Sequence, residues 1–293
     1  MSSKSSTYSE LELRAVQLAK LNILKEFDRV CRKINTHYFL TYGTALGALR
    51  HQGFIPWNDS LDVGMLREEY EIFIEQAPDF LQERYRLQNF QSDKQAIYLY
   101  SKLTLKDSEL EVDEQAGACL QDGIAINLLV YSNLPNNQRE REQYMSYCRN
   151  LSRLFMISSL NEDKNKEALK LSDRLMMFFL KIYYGYLKET KKERIYSDLI
   201  NKVHKYSKIV ADEVWVEFYD DSVVPRETIS VTHLVPFEDQ KFPVPMFAQD
   251  YLTRTYGNWQ EYPPESDRIS KLPSKLRLPQ EFIEQAQKEL AER

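Results

Sequence analysis

Apolar side chains recur at helical spacing between residues 9 and 35: Leu11, Leu13, Val16, Leu18, Leu21, Leu24, Phe27, Val30 and Ile34. Ser9 stands where a cap would, so the stretch predicts a helix. The period then changes. "HYFLTYG" (37–43) predicts a strand that stops at Gly43. "TALGALRHQG" predicts a short helix capped by Thr44 and ended near Gly53. After a turn at "IPW" comes a strand, "SLDVGM" (60–65), then a helix, "REEYEIFIEQAP", that ends before Pro78. "AIYLYSKLTL" (96–105) alternates like a strand, and "GIAINLLVY" (123–131) is apolar enough for a central one. From 137 to 210 the pattern is helical and charged; from 211 short Pro-spaced elements lead to a helix at "FAQDYLTRTYG". The order predicts an α/β (α+β) fold with a mixed-sheet core over 9–136, a helical insert over 137–210 and a C-terminal segment, 211–293, packed on the core.

Composition narrows this picture little. The chain has 293 residues, 43% hydrophobic and 28% charged, which suits a globular protein with a sizeable core. A net charge of -5 gives no general footprint for nucleic acid. Cys31, Cys119 and Cys148 lie far apart and in no metal-ligand spacing, which predicts reduced thiols and a cytoplasmic setting. The first residues lack the apolar stretch of a signal peptide. The greasiest run, "LMMFFLKIYYGYL" (175–187), is shorter than the roughly 20 residues that span a bilayer.

Charge is uneven along the chain. Residues 164–205 carry eleven Lys and Arg against five acids, beside an apolar stripe that includes Leu171, Leu175, Phe178, Phe179, Ile182 and Tyr186. A solvated helix on the core explains this. So does peripheral contact with an anionic membrane face.

The candidate chemistry sits in "YGTALGALRHQGFIPWNDSLDVGM". A strand ending at Gly43 and a helix starting at Thr44 would aim free N–H groups at a phosphate. On the following strand, residues at i and i+2 share a face, so Ser60 and Asp62 are expected on one side. An acid pair there would clamp magnesium, and phosphate beside metal is the arrangement of nucleotidyl or phosphoryl transfer. Asp62 is also compatible with an ordinary strand-end acid, Trp57 with a core ring and His51 with a helix-end dipole partner. Arg50 reads equally as a solvated helix-end cation, while His37, His204 and His233 are scattered and read as structural.

"YGTALGALRHQGFIPWNDSLDVGMLREEYEIF" resembles the signature of the LicD family, to which fukutin-type proteins are distantly related. "GIAINLLVYSNLP" and "FPVPMFAQDYLTRTYGNWQEYPP" resemble further family motifs. The resemblance spans about residues 9–265 and implies a nucleotidyltransferase-like core. It implies transfer of phosphocholine, or a related phospho-group, from a CDP-activated donor. The acceptor would be a teichoic-acid or surface-polysaccharide precursor at the inner face of the membrane. By position it implies Asp62 and Asp59 as catalytic acids. It implies Gly43, Thr44, Arg50, His51, Trp57 and Lys102 as substrate-binding residues.

The departures from the pattern fall on charge. Asn58, Ser60 and Asn127 stand where the resemblance implies acids, as do Ser132 and Asn258. Magnesium prefers anionic oxygen ligands, and each lost carboxylate removes a unit of charge at about 2 Å. Asp62 alone would hold the metal weakly. Two expectations follow: a degenerate member that binds or assists, perhaps beside an intact paralogous partner of the same family, and an active transferase with an altered metal site. A sensor of phosphorylated small molecules or glycans is a third.

Overall fold

The computed structural model describes residues 7–113, 119–160, 175, 178, 179, 182, 192–220, 222–270, 273 and 275–292. Helix α1, Glu10–Ile34, forms as its spacing predicts. Ser9 and Glu12 close a capping box: Ser9 Oγ accepts the Glu12 N–H, and the Ser9 N–H donates to the Glu12 carboxylate. Asn35 ends the helix in the left-handed region at φ 55°. Val16, Leu24, Phe27 and Val30 on its inner face are buried.

The chain then lays down β1 (Phe39–Leu40), α2 (Tyr42–His51), β2 (Asp62–Leu66) and α3 (Arg67–Gln76). It continues with β3 (Tyr85–Gln88), β4 (Ser101–Leu105), β5 (Glu109–Asp113), β6 (Cys119–Asp122) and β7 (Ala125–Asn133). Two long helices follow, α4 (Gln138–Leu160) and α5 (Lys192–Ser207). Next come β8 (Glu213–Val216), β9 (Val223–Pro225), α6 (Arg226–Ser230), β10 (Thr232–Phe237) and β11 (Gln240–Pro245). Helix α7 (Ala248–Tyr256), β12 (Lys275–Arg277) and α8 (Gln280–Ala291) complete the described elements.

The main sheet is mixed, with strand order β1-β2-β7-β4-β3. The apolar strand expected to be central is β7. It runs parallel to β2 along one edge. Its other edge pairs antiparallel first with β4 and then with β8, which brings β9 with it. β10 and β11 form a separate hairpin, and β12 adds to β5 and β6. The mixed α/β class predicted from the element order is the one observed. A second hydrophobic cluster joins α4 and α5 to the sheet through Tyr144, Leu151, Phe155, Ile195, Leu199 and Trp215.

Three boundaries differ from expectation. The strand at 37–43 is only Phe39–Leu40, because Tyr42 turns to φ 46° and starts α2 early. Thr41, not Thr44, is therefore at the cap position, and its hydroxyl is spent on Tyr131 and Tyr251 (both 2.6 Å) rather than on the helix. The alternation over 96–105 pairs only from Ser101. Most of the basic stretch 164–205 lies outside the described residues, and the membrane-contact expectation with it. Among the described residues, no helix is long and apolar enough to cross a membrane.

Gly64 of β2 shows how tightly one sheet face is closed. The rings of Phe39 and Tyr131 meet over it at 5.1 Å. A Cβ at residue 64 would lie 2.5 Å from Phe39 Cε2 and 2.8 Å from Tyr131 Cε2. Both rings are buried and hemmed in, so neither can retreat freely. Gly64→Ala should cost about 1–3 kcal/mol of stability through overpacking. Urea unfolding of the two proteins measures it; an unchanged midpoint would mean the rings have slack.

Candidate functional site

Asp62, Asn127 and Lys102 lie side by side on β2, β7 and β4: the register pairs Asp62 with Asn127 and Asn127 with Lys102. Paired residues on neighbouring strands share a face, so these three side chains leave the sheet together. Asp62 is 4% exposed. Its N–H donates to Thr44 Oγ1 (2.8 Å), which ties the start of β2 to the first turn of α2. Its Oδ1 accepts from Asn127 Nδ2 at 2.7 Å. Burial pushes the Asp62 carboxyl above its ordinary value, against the opposing pull of the Asn127 hydrogen bond and the Lys20 charge. Lys102 Nζ lies 3.9 Å from the centre of the Tyr98 ring and 6.0 Å from that of Tyr100.

The rest of the "NDSLD" run is divided. β2 starts only at Asp62, so Ser60 sits in an exposed loop and the alternation that placed it beside Asp62 does not extend to it. Its N–H donates to Asn58 Oδ1 (2.8 Å) in a local side-chain turn. Asn58 Nδ2 lies 3.5 Å from where a Cβ on Gly43 would be, which puts the Asn58 amide over the start of α2. Asp59 faces α1 instead. Lys20 Nζ reaches its carbonyl (2.6 Å) and its carboxylate (3.4 Å), and the Tyr8 hydroxyl donates to the same carboxylate (3.2 Å).

Arg50, His51 and Trp57 form a separate group at the far end of α2, about 9–10 Å along the helix from Thr44. Arg50 donates to the carbonyls of Trp259 (2.9 Å) and Glu261 (3.2 Å), and its guanidinium covers Tyr262 at 4.7 Å. His51 meets Trp57 and Tyr262 edge-on at 6.0 and 5.6 Å. Burial, and then the Arg50 charge, hold its imidazole below the ordinary value. These side chains fasten α2 to the loop after α7. Gly43, Thr44, Asn58, Asp62, Asn127 and Lys102 form the other group, around the strand ends.

Ser132 lies on the opposite face of β7 from Asn127. There its hydroxyl donates to the Glu217 carboxylate, which also receives Arg67 Nε at 2.8 Å. Arg67 and Glu217 are both buried, so the charge pair is internal. Among the described residues, no three His, Cys, Asp or Glu side chains come together as they would around a metal ion.

The residues that sequence reasoning missed are aromatic. The Tyr42 hydroxyl donates to Asp220 Oδ2 (2.7 Å), and the Tyr42 ring lies 5.4 Å from that of Tyr219. Tyr251 accepts the Tyr42 N–H (3.2 Å) and bonds the Thr41 hydroxyl. The abundance of tyrosine was visible in the sequence; that Tyr42, Tyr219 and Tyr251 meet was not, because they come from three distant segments.

Residues 35–115 match the family model described as LicD/FKTN/FKRP, nucleotidyltransferase domain. The lipopolysaccharide cholinephosphotransferase LicD of Haemophilus influenzae is 26% identical over 267 residues, which cover 88% of this chain and 95% of that protein. An uncharacterised protein of Rickettsia typhi is 38% identical over 82 residues, 28% of this chain and 26% of its own. Another, of Rickettsia prowazekii, is 41% identical over 69 residues, 23% of this chain and 26% of its own. The motif around Asp62 folds onto the end of a mixed sheet, and the likeness to the Haemophilus protein runs nearly end to end; both support LicD family membership.

Proposed function

We propose that this chain serves phosphocholine transfer to a surface glycan, as a binding or accessory subunit whose metal site is impaired. The single observation that carries the reading is the Asn127 amide donor on Asp62 Oδ1. A carboxylate accepts hydrogen bonds and an amide beside it must turn its NH2 inward. The partial positive charge of that NH2 sits where a cation would sit. Asp62 is thereby satisfied without metal, and Asn127 presents a donor toward the position a ligand oxygen should occupy. Magnesium is held by one or two carboxylates together with substrate phosphates. The residues present do not fit a magnesium pair.

The phosphate side is better furnished. Lys102 stands in the same register row, and the first turn of α2 begins at Tyr42, beside Gly43 and Thr44. A helix N-terminus and a lysine suit a phosphorylated ligand. The Haemophilus relative, a lipopolysaccharide cholinephosphotransferase by name, supports phosphocholine transfer to a lipopolysaccharide-type glycan; a CDP-choline-like donor and a teichoic-acid precursor as the other acceptor are part of the proposal. Work at the inner face of the membrane, beside an intact paralogous partner, belongs to this reading. The retention of Asp62 beside Lys102 favours a second reading, an active transferase with an altered site.

CDP-choline should bind in EDTA, and Lys102→Ala should weaken it by about 1–2 kcal/mol, the scale of one charge-assisted hydrogen bond. Calorimetric titration of both proteins decides. Equal affinities would remove Lys102 from the site, and no binding by either would leave a purely structural role.

Rebuilding the acid pair gives a second measurement. Asn127→Asp places a carboxylate directly against Asp62, and two such charges repel without a cation. The variant should melt lower than wild type in EDTA and rise on addition of magnesium, whereas wild type should not respond. A variant indifferent to magnesium would show that nothing else near Asp62 completes a metal site.

Asp62 itself should cost stability at neutral pH. Its carboxyl is raised in the folded state, so the unfolded chain ionises first as pH climbs from the ordinary value of 3.8. The folded state then binds more protons, and stability falls with pH until the folded carboxyl has also ionised. Asp62→Asn removes this term. The variant should gain on wild type from about pH 4 upward and match its slope at lower pH, as urea midpoints across that range would record. A gap that narrows with rising pH would contradict the buried-carboxyl account.

A further inference from the structure

Two bulky residues near Asp62 have left-handed backbone: Tyr42 at φ 46° and Phe218 at φ 57°. For residues other than glycine such conformations are uncommon, and they persist only where the surroundings enforce them. One starts α2 and the other lies in the turn that follows β8. Between them they bring the rings of Tyr42 and Tyr219 to 5.4 Å, tilted by 55°. Tyr100 closes on Tyr219 from β4's approach at 5.7 Å and 78°, edge to face. Asp220, next in the turn, takes the Tyr42 hydroxyl. Tyr219 remains 41% exposed and Tyr256, at the end of α7, 43% exposed.

Acids border this wall. Burial and then the carboxylates of Asp62 and Asp220 push the Tyr219 phenol up to about 12. Burial, Tyr251 and Asp62 raise Tyr256 likewise. The phenols therefore stay neutral, with electron-rich ring faces beside acids. Such a surface attracts a cation. A metal ion would need several oxygen ligands, and the described residues bring no such cluster together. A quaternary ammonium group needs no hydrogen-bond acceptor and binds to aromatic faces. Lys102 lies at the other side of the same wall, over Tyr98, whose ring stacks on Tyr100 at 5.3 Å. The site is thus cation-seeking at one end and positively charged at the other.

We propose that Tyr42, Tyr100, Tyr219 and Asp220, flanked by Tyr256, seat the trimethylammonium group of a phosphocholine-bearing ligand, with its phosphate toward Lys102. The proposal rests on the phosphocholine reading of the site above and adds the residues that would select choline over an unmethylated amine.

Titration of the full chain with CDP-choline, CDP-ethanolamine and CDP, all in EDTA, tests the selection. CDP-choline should bind about tenfold more tightly than CDP-ethanolamine, within the range of a desolvated cation–aromatic contact. Tyr219→Ala should erase that preference and Tyr219→Phe should keep it, because the ring and not the hydroxyl is the contact. Equal binding of all three nucleotides by the wild type overturns the seat while leaving a nucleotide site in place. Phosphocholine alone separates the two ideas further. Methyl-proton saturation transfer that Tyr219→Ala removes and Tyr219→Phe preserves supports the seat, even where CDP fails to bind and the donor assignment falls. No transfer in wild type, or equal transfer in Tyr219→Ala, overturns it.

Discussion

The parallel pairing of β2 with β7 is the constraint from which the rest of the site follows. It sets Asp62 against Asn127, and the antiparallel partner β4 extends the same row to Lys102. A shift of one residue would send all three side chains to the other face. Two contacts guard against that shift. The Thr44 hydroxyl takes the Asp62 N–H, so β2 begins where α2 lets it begin. Gly64 admits the Phe39 and Tyr131 rings over the strand, and no neighbouring position of β2 lacks a side chain. The α1 helix packs behind this arrangement and holds the preceding loop through Lys20 and Gln17.

Once register is set, the electrostatics of the row turn on one amide. A carboxylate buried this deeply is costly unless something compensates it. A cation could do so, and a hydrogen-bond donor can do so more cheaply in charge. Asn127 supplies the donor. The row on β2 and β7 therefore holds an acid and an amide joined by one hydrogen bond. The aromatic wall of Tyr42, Tyr219 and Tyr256 then borders the side chains of Asp62 and Asp220.

Much of this was legible in the sequence. The capping box at Ser9 and Glu12, the apolar run that became β7, and the long motif from Tyr42 to Phe73 all depend on local spacing, which a sequence displays directly. Asp59, a catalytic acid by resemblance, turns onto Lys20. The alternation rule failed for Ser60, because alternation holds only inside a strand and the strand starts two residues later. Thr44 was read as a cap. It lies inside the helix because Thr41 and Tyr42 are drawn to Tyr251, some two hundred positions away. Arg50 was open to a phosphate role; its carbonyl partners come from the loop after α7, whose position no local pattern encodes. The tyrosine wall was invisible for the same reason.

The two faces of β7 show why replacing an acid has different consequences at different places. Ser132 and Asn127 both stand where the resembling motif carries an acid. At Ser132 the neighbour is Arg67, a buried cation, and leaving such a charge unpaired would cost about 3–5 kcal/mol. A carboxylate is present there after all: Glu217, reaching across from the end of β8. The fold thus keeps the ion pair with its acid on a different strand. At Asn127 the neighbour is itself an acid, Asp62, which a neutral amide satisfies. Nothing about folding requires a carboxylate at that position, and a second one would bring repulsion. The side of β7 that packs Arg67 thus balances charge with charge, and the side that carries Asn127 answers Asp62 with a hydrogen bond.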